Sequence, residues 1–132
     1  MASKIQAINA YRPRVEVGNT VQKQELVRQL ARATGLNEGT ADLVFKELRD
    51  IIIENLRAGR GVKAEGLGTW LPNIDLAGEF DVQYRMDALL KNALNSPGTF
   101  SGTIINREYI GKTGDELVQK WNSEHPDDQV SG

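Results

Sequence analysis

Two stretches of the chain repeat apolar residues at helical spacing, and shorter ones alternate. From about Val21 to Thr34, Leu26, Leu30 and Ala33, joined by Val27 and Ala31, form an apolar stripe, while Lys23, Arg28, Gln29 and Arg32 project elsewhere. Thr20 is the expected N-cap, and Gly35 stands where a left-handed C-cap glycine belongs. A longer helix is predicted from about Glu38 to Ala58, capped by Asn37 and ended by Gly59. Along it Ala41, Val44, Phe45, Leu48, Ile51, Ile52 and Leu56 follow the i, i+3, i+4, i+7 pattern, and Leu43 and Ile53 fall off that stripe. A helix that is apolar on two sides needs burial on two sides. One small domain has trouble supplying that, so a dimer interface is expected.

Elsewhere the period is two. Residues 4–18 read as one or two short strands: Ile5, Ala7 and Asn9 alternate weakly with Gln6 and Ile8, Pro13 breaks any helix, and Arg14 to Val17 alternates. Val62 to Glu65 reads as a strand, Gly66-Leu67-Gly68 as a tight turn or bulge, and Thr69-Trp70-Leu71 as the start of the next strand. Ala77-Gly78 marks a hairpin tip, and Phe80 to Tyr84 is the return strand. A short helix follows from about Asp87 to Asn95, with Leu89, Leu90, Ala93 and Leu94 expected inward and Asn95-Ser96-Pro97-Gly98 as its stop. Thr99 to Ile105 resembles a strand. Thr113-Gly114-Asp115-Glu116 is a capping box for a last helix with Leu117, Val118 and Trp121, and residues 123–132 are expected to fray. The pattern gives an α+β chain in three parts: an N-terminal strand extension (1–19), a central domain (20–95), and a C-terminal strand–helix extension and tail (96–132).

Composition narrows the chemistry. The length, 132 residues, suits about one domain with a real core. There is no cysteine, which excludes a disulfide framework, a thiolate zinc site and a cysteine nucleophile. The single histidine, His125, leaves no basis for a histidine triad or metal cluster. The run Ile51-Ile52-Ile53 is far too short to span a membrane, and residues 1–6 lack the apolar block of a signal peptide, so a cytoplasmic protein is expected. Net charge is -2, but it is uneven: residues 1–19 sum to +2, 20–63 to +2 and 64–132 to -6.

The catalytic candidates are weak. Gly111-Lys112-Thr113 before a helix resembles the end of a phosphate-binding P-loop, yet Asn106 stands where the motif needs its first glycine. Gly59, Gly61, Gly66 and Gly68 flank a strand and form no dinucleotide fingerprint; turns explain them. The pairs Glu47/Asp50 and Asp127/Asp128 read as solvated surface. A helix-turn-helix around Gly35 fails because the second helix is apolar where a recognition helix presents polar side chains. What remains is positive charge near a strand and turn: Arg57, Arg60 and Lys63, with Lys23 at the first helix start. Gly66 and Gly68 leave backbone amides open to phosphate. The competing explanation for Arg57 and Arg60 is a helix C-terminus complemented by cations.

From Lys23 to Leu94 the chain resembles the HU and integration host factor family of bacterial histone-like DNA-binding proteins. The resemblance rests on Gly35-Leu36 through the long helix to Leu56-Arg57-Ala58-Gly59, on Val62-Lys63 into Gly66-Leu67-Gly68-Thr69-Trp70, and on Tyr84-Arg85 followed by Leu90-Lys91-Asn92-Ala93-Leu94. Leu67 and Trp70 replace the family's usual aromatic residues conservatively. The resemblance implies an HU/IHF-like fold in an intertwined homodimer, with β-arms that bend DNA through the minor groove. By position it makes Lys23, Lys63, the Gly66–Gly68 turn, Arg85 and Lys91 phosphate-contacting sites; Arg60 is added on charge. One departure is large. Leu71 to Asp81 is short and holds three acids and no base, where the family has a long basic arm with a proline-bearing tip. The expected function is a non-enzymatic, nucleoid-associated protein that binds duplex DNA through its backbone, weakly to moderately and without sequence preference. No cofactor, metal, membrane or small-molecule substrate is expected. The alternative is an HU-fold assembly module that dimerises and binds protein partners without DNA, with Trp121, Ile104 and Ile105 exposed for docking.

Overall fold

The computed structural model describes residues 1–131. In chain order it contains α1 (Lys4–Tyr11), β1 (Arg14–Glu16), α2 (Lys23–Thr34), α3 (Glu38–Arg57), β2 (Val62–Ala64), β3 (Gly68–Ile74), β4 (Phe80–Met86), α4 (Ala88–Asn95), β5 (Thr103–Ile105), a 3-10 turn (Arg107–Tyr109) and α5 (Gly114–Glu124). These make two compact units, one of Met1–Asn19 with the chain from Ser101 on, the other of Thr20–Phe100. Among the described residues, no helix is long and apolar enough to cross a membrane.

In the first unit the expected strand over residues 4–11 is a helix. The Ser3 hydroxyl caps it by accepting from the Gln6 amide at 3.1 Å. Ala7 and Tyr11, at i, i+4 spacing, share the face that meets Trp121. That tertiary partner selects the helical period over the weak alternation, and Pro13 follows the C-cap Arg12. β1 and β5 pair antiparallel, Val15 opposite Ile104. Asn106, in a left-handed conformation, holds the end of α1 through bonds to the Ala10 and Arg12 carbonyls. The capping box on α5 is present, with Thr113 accepting from the Glu116 amide at 3.2 Å.

The expected frayed tail is instead folded back. The Trp121 indole N–H donates to the Asp128 carbonyl at 2.7 Å, the Val130 amide donates to the Asn122 side chain at 2.8 Å, and Val130 bridges to Ala2. Trp121 is therefore only 8% exposed and Ile104 and Ile105 are half-buried, which corrects the expectation that they stand free for a partner. The His125 ring stacks on Trp121. On the surface of this unit the Tyr11 hydroxyl donates to Glu124, which also pairs with Lys120 at 2.7 Å.

The second unit begins with α2, which starts at Lys23 and not at Val21; its N-cap Gln22 makes no capping bond, and Thr20 lies outside. Gly35 ends it in the left-handed conformation, and Asn37 caps α3 by accepting from the Thr40 amide at 2.7 Å. The two helices meet through small residues: Val27, Ala31 and Ala41 are buried, with Leu30 against them. The predicted α3 stripe splits. Ala41, Phe45, Ile52 and Leu56 turn inward, while Val44, Leu48 and Ile51 form a second row about half exposed.

β2, β3 and β4 form one antiparallel sheet. Its register sets Val62 beside Trp70 and Trp70 beside Tyr84, and in the next row Lys63 beside Thr69 and Thr69 beside Arg85. Alternation then sorts the sheet into an apolar face (Val62, Trp70, Pro72, Val82, Tyr84) and a mainly polar one (Lys63, Thr69, Leu71, Asn73, Asp81, Gln83, Arg85). The Trp70 and Tyr84 rings meet at 5.5 Å, and the Tyr84 hydroxyl reaches across to the Leu67 carbonyl at 2.6 Å. Gly68 is buried beneath this pair: a Cβ there would lie 2.6 Å from the Arg85 carbonyl oxygen and against the Tyr84 ring. The helix expected after Asp87 is present and capped by it, but Leu89, Leu90, Ala93 and Leu94 are exposed, not inward.

These contacts set the expected effects of three substitutions. Gly68→Ala is expected to destabilise the 20–100 unit by about 2 kcal/mol or more, because backbone and a packed ring must both move. Gly78→Ala, at a position with open space, is expected to cost about 1 kcal/mol for its left-handed conformation alone. Urea unfolding followed by Trp70 fluorescence checks both. In the first unit the hydrogen bond to Glu124 pushes the Tyr11 hydroxyl from 10.0 up to about 12. A raised folded pKa stabilises fully below the unfolded value, so this contribution is expected to fade as pH rises from 10.0 to about 12. Lys120, and then Tyr11, hold the Glu124 carboxyl below the ordinary glutamate value, so its contribution is lost as acid titrates the folded carboxylate. Tyr11→Phe is expected to reduce the alkaline limb, leaving the part that comes from Lys120, which its hydrogen bond to Glu124 also raises. Trp121 fluorescence in a Trp70→Phe background reads the change.

Candidate nucleic-acid interface

The register that builds the sheet also builds its one basic row. Lys63 and Arg85 lie in the same row of the polar face, on either side of Thr69. With strands about 4.8 Å apart, their backbones are about 10 Å from one another. Both side chains project from exposed positions, and among the described residues neither has a carboxylate within 4.0 Å. Thr69 adds a hydroxyl between them, a member of the row that charge alone did not pick out. Only the pairing shows it.

The other predicted residues are distributed around this row. Arg60 lies in the turn between α3 and β2, where the Gly59 amide donates to Leu56 and the Arg60 amide to Asn55. It is exposed and without an ion pair among the described residues. Lys91 is on α4, one turn after the cap Asp87, and is likewise exposed. Lys23 is not joined to the row. It opens α2 and pairs with Asp42 at 2.9 Å, and Asp42 also holds Lys46 at 2.8 Å. The two hydrogen bonds, Lys23 first and then Lys46, depress the Asp42 carboxyl, and the same contact raises Lys46. Lys46 escaped the sequence reading, although Asp42 and Lys46 stand at i, i+4 on a helix, a readable pairing signal.

The two turn glycines have reasons that need no ligand. Gly66 is left-handed, and its side of the turn faces Asp87. The Leu89 amide and then the Gly66 amide hold the Asp87 carboxyl below its usual value, with Lys63 adding to the effect. Asp87 thus ties the β2–β3 turn to the start of α4. Gly68 is closed over by Tyr84 and Arg85.

The far end of the hairpin has the opposite sign. Asp75 closes the turn: its carboxylate accepts from the Glu79 amide at 2.9 Å, and its own amide donates to the Glu79 carbonyl at 3.0 Å. Asp75, Glu79 and Asp81 are exposed and have no cation within 4.0 Å among the described residues, while Leu76 at the tip is wholly exposed. The hairpin is basic at its root and acidic at its tip. Between α3 and the hairpin, Ile53, Leu56, Arg57, Pro72, Phe80, Asp81 and Val82 line a groove of about 490 Å³. Among the described residues, no cluster of three or more metal-ligating side chains is present.

Residues 3–87 match the HU-HIG family, described as an HU domain fused to a winged helix-turn-helix, Ig or glycine-rich motif. No curated protein matches. Among solved structures the chain is similar to a point mutant of HU from Thermotoga maritima, with 19% identity and a TM-score of 0.51, over 57% of this chain and the whole of that one. At that identity the likeness establishes the fold alone. The family match covers more than half of the chain and the structural likeness gives the same HU-like α+β fold, so the chain belongs to the HU-HIG family.

Proposed function

We propose that the chain is a non-enzymatic architectural protein that binds duplex DNA along its phosphate backbone, with the Lys63–Thr69–Arg85 row as the centre of the contact. The observation that supports this most is the row itself: two unpaired cations and a hydroxyl, fixed by strand register on the polar face of a sheet. Rigid spacing favours phosphate contact, because little side-chain order must be imposed when DNA arrives. Arg60 and Lys91 extend the positive surface. Lys23 contributes the net positive charge left when Asp42 is shared by two lysines. Gly66 keeps the turn beside Lys63 free of a Cβ, and Gly68 serves the contact by holding the turn in register.

The functional unit in this reading is a homodimer, with residues 20–95 as its DNA-binding part. Val44, Leu48 and Ile51 on α3, Phe80 and Val82 on β4 and Leu89 and Leu94 on α4 are all substantially exposed in the single chain. That area is larger than a soluble monomer ordinarily leaves to water. Binding is weak to moderate and without sequence preference, since no base-reading helix or basic arm is available and the tip would repel phosphate. Its place is with the DNA in the cytoplasm. The acidic tip and its bare Leu76 favour a second reading, assembly on protein partners without DNA.

A salt titration separates the two readings. With Lys63 and Arg85 from both protomers engaged, about four phosphates are neutralised, so log K against log salt is expected to fall with a slope of about -3 to -4. Arg85→Glu is expected to weaken binding uniformly across sequences and to reduce that slope by about 2 per dimer. Fluorescence anisotropy with two unrelated short duplexes measures both. Unchanged affinity and slope in Arg85→Glu would remove the row from the contact, and absence of binding at low salt would favour the assembly reading.

A further inference from the structure

The polar face of the hairpin has a charge order that is complementary to itself. Its root row holds Lys63, Thr69 and Arg85, its middle row is Leu71 and Gln83, and its outer row is Asn73 and Asp81, with Asp75 and Glu79 just beyond. The order along the strands is positive, neutral, negative. The root and outer rows are four residues apart, or about 13 Å at 3.3 Å per residue. That exceeds the screening length of about 8 Å at physiological salt, so the two ends do not neutralise each other within one chain. Neither end finds an ion partner elsewhere among the described residues.

A twofold axis lying along the middle row would reverse the strand direction and keep each strand over its counterpart. Arg85 of one copy would then lie over Asp81 of the other, and Thr69 over Asn73, with both contacts made twice. Two sheets stack about 10 Å apart, a gap that an arginine and an aspartate span between them. The uncharged Leu71–Gln83 row falls on the axis, where like charges would otherwise meet.

We propose that the polar face of the β2–β3–β4 hairpin is a self-association surface, on which a second copy of this chain docks antiparallel through reciprocal Arg85–Asp81 pairs. The contact lies on the opposite face from the apolar surface assigned to the dimer, so it joins dimers into larger assemblies. It is independent of the DNA-binding reading, although it covers the same basic row. Exposed ion pairs contribute little singly, so the association is weak and strongly dependent on salt.

Sedimentation velocity on the full chain without DNA tests this. The largest species is expected to weaken by about tenfold or more between about 0.1 M and about 1 M salt, where the screening length falls from about 10 Å to about 3 Å. A hydrophobic dimer would not dissociate in this way. Arg85→Glu and Asp81→Arg are each expected to abolish that species, because each sets like charges over one another at both reciprocal pairs. An equal mixture of the two is expected to restore it, since two acidic positions on one copy then meet two basic positions on the other. Restoration also shows that both variants are folded. A wild-type chain with no salt-reversible species, a single variant that retains it, or a mixture that fails to restore it would overturn the proposal. The DNA reading is tested apart from it by Asp81→Arg, which removes self-association yet is expected to bind duplex at least as tightly as the parent.

Discussion

At Gly68 the neighbouring strand packs so closely that there is no room for a Cβ, and the register of the sheet depends on that approach. Opposite it, the Arg85 carbonyl and the Tyr84 ring occupy the space a side chain would need. The Tyr84 ring then leans on Trp70, and its hydroxyl closes on the Leu67 carbonyl. An aromatic pair of this kind contributes about 1 kcal/mol and the hydrogen bond about as much again. Their larger effect is on specificity. A slip of one residue would exchange the two faces of the sheet, placing Lys63 and Arg85 among apolar neighbours and Trp70 and Tyr84 in water. The chemistry of the polar face therefore rests on a packing contact on the other side.

The 20–100 unit is thinly packed for its hydrophobic content. Val27, Ala31 and Ala41 are its buried cluster, while long apolar side chains on α3, β4 and α4 remain in water. An intrachain core this small cannot by itself account for so many leucines and isoleucines. Burying such residues against a partner, as the proposed dimer does, would be favourable at roughly 25 cal/mol per Å². The hairpin itself is short, with Lys63 and Arg85 at its root and Asp75, Glu79 and Asp81 toward its tip.

The unit built from both chain ends follows another logic. α1 and α5 come from opposite ends of the sequence, and Trp121 joins them by packing on Ala2, Ala7 and Tyr11. Its indole N–H is satisfied by the returning tail, and His125 covers one ring face. Burying the tryptophan requires the tail, which is why a polar segment that looks expendable is ordered.

Much of this is legible in local patterns. The caps at Asn37 and Thr113, the C-cap at Gly35, the hairpin tip at Gly78 and the short helix after Asp87 are set by side chains acting on backbone within four residues, so they can be read without a fold. The HU-like order of elements and the acidic character of the short hairpin are equally evident. Residues 4–11 mislead because the choice between two weak periodicities depends on Trp121, more than a hundred positions away. The inward face expected of α4 fails for a related reason: periodicity identifies an apolar stripe but not what covers it. Sequence by itself determined which segments turn, which are helical and where charge accumulates, because those depend on neighbours along the chain. Only the tertiary structure decided that Lys63 and Arg85 stand in one row, that Lys23 is bound to Asp42 and that Trp121 is buried, because each depends on pairing across the chain that no local pattern encodes.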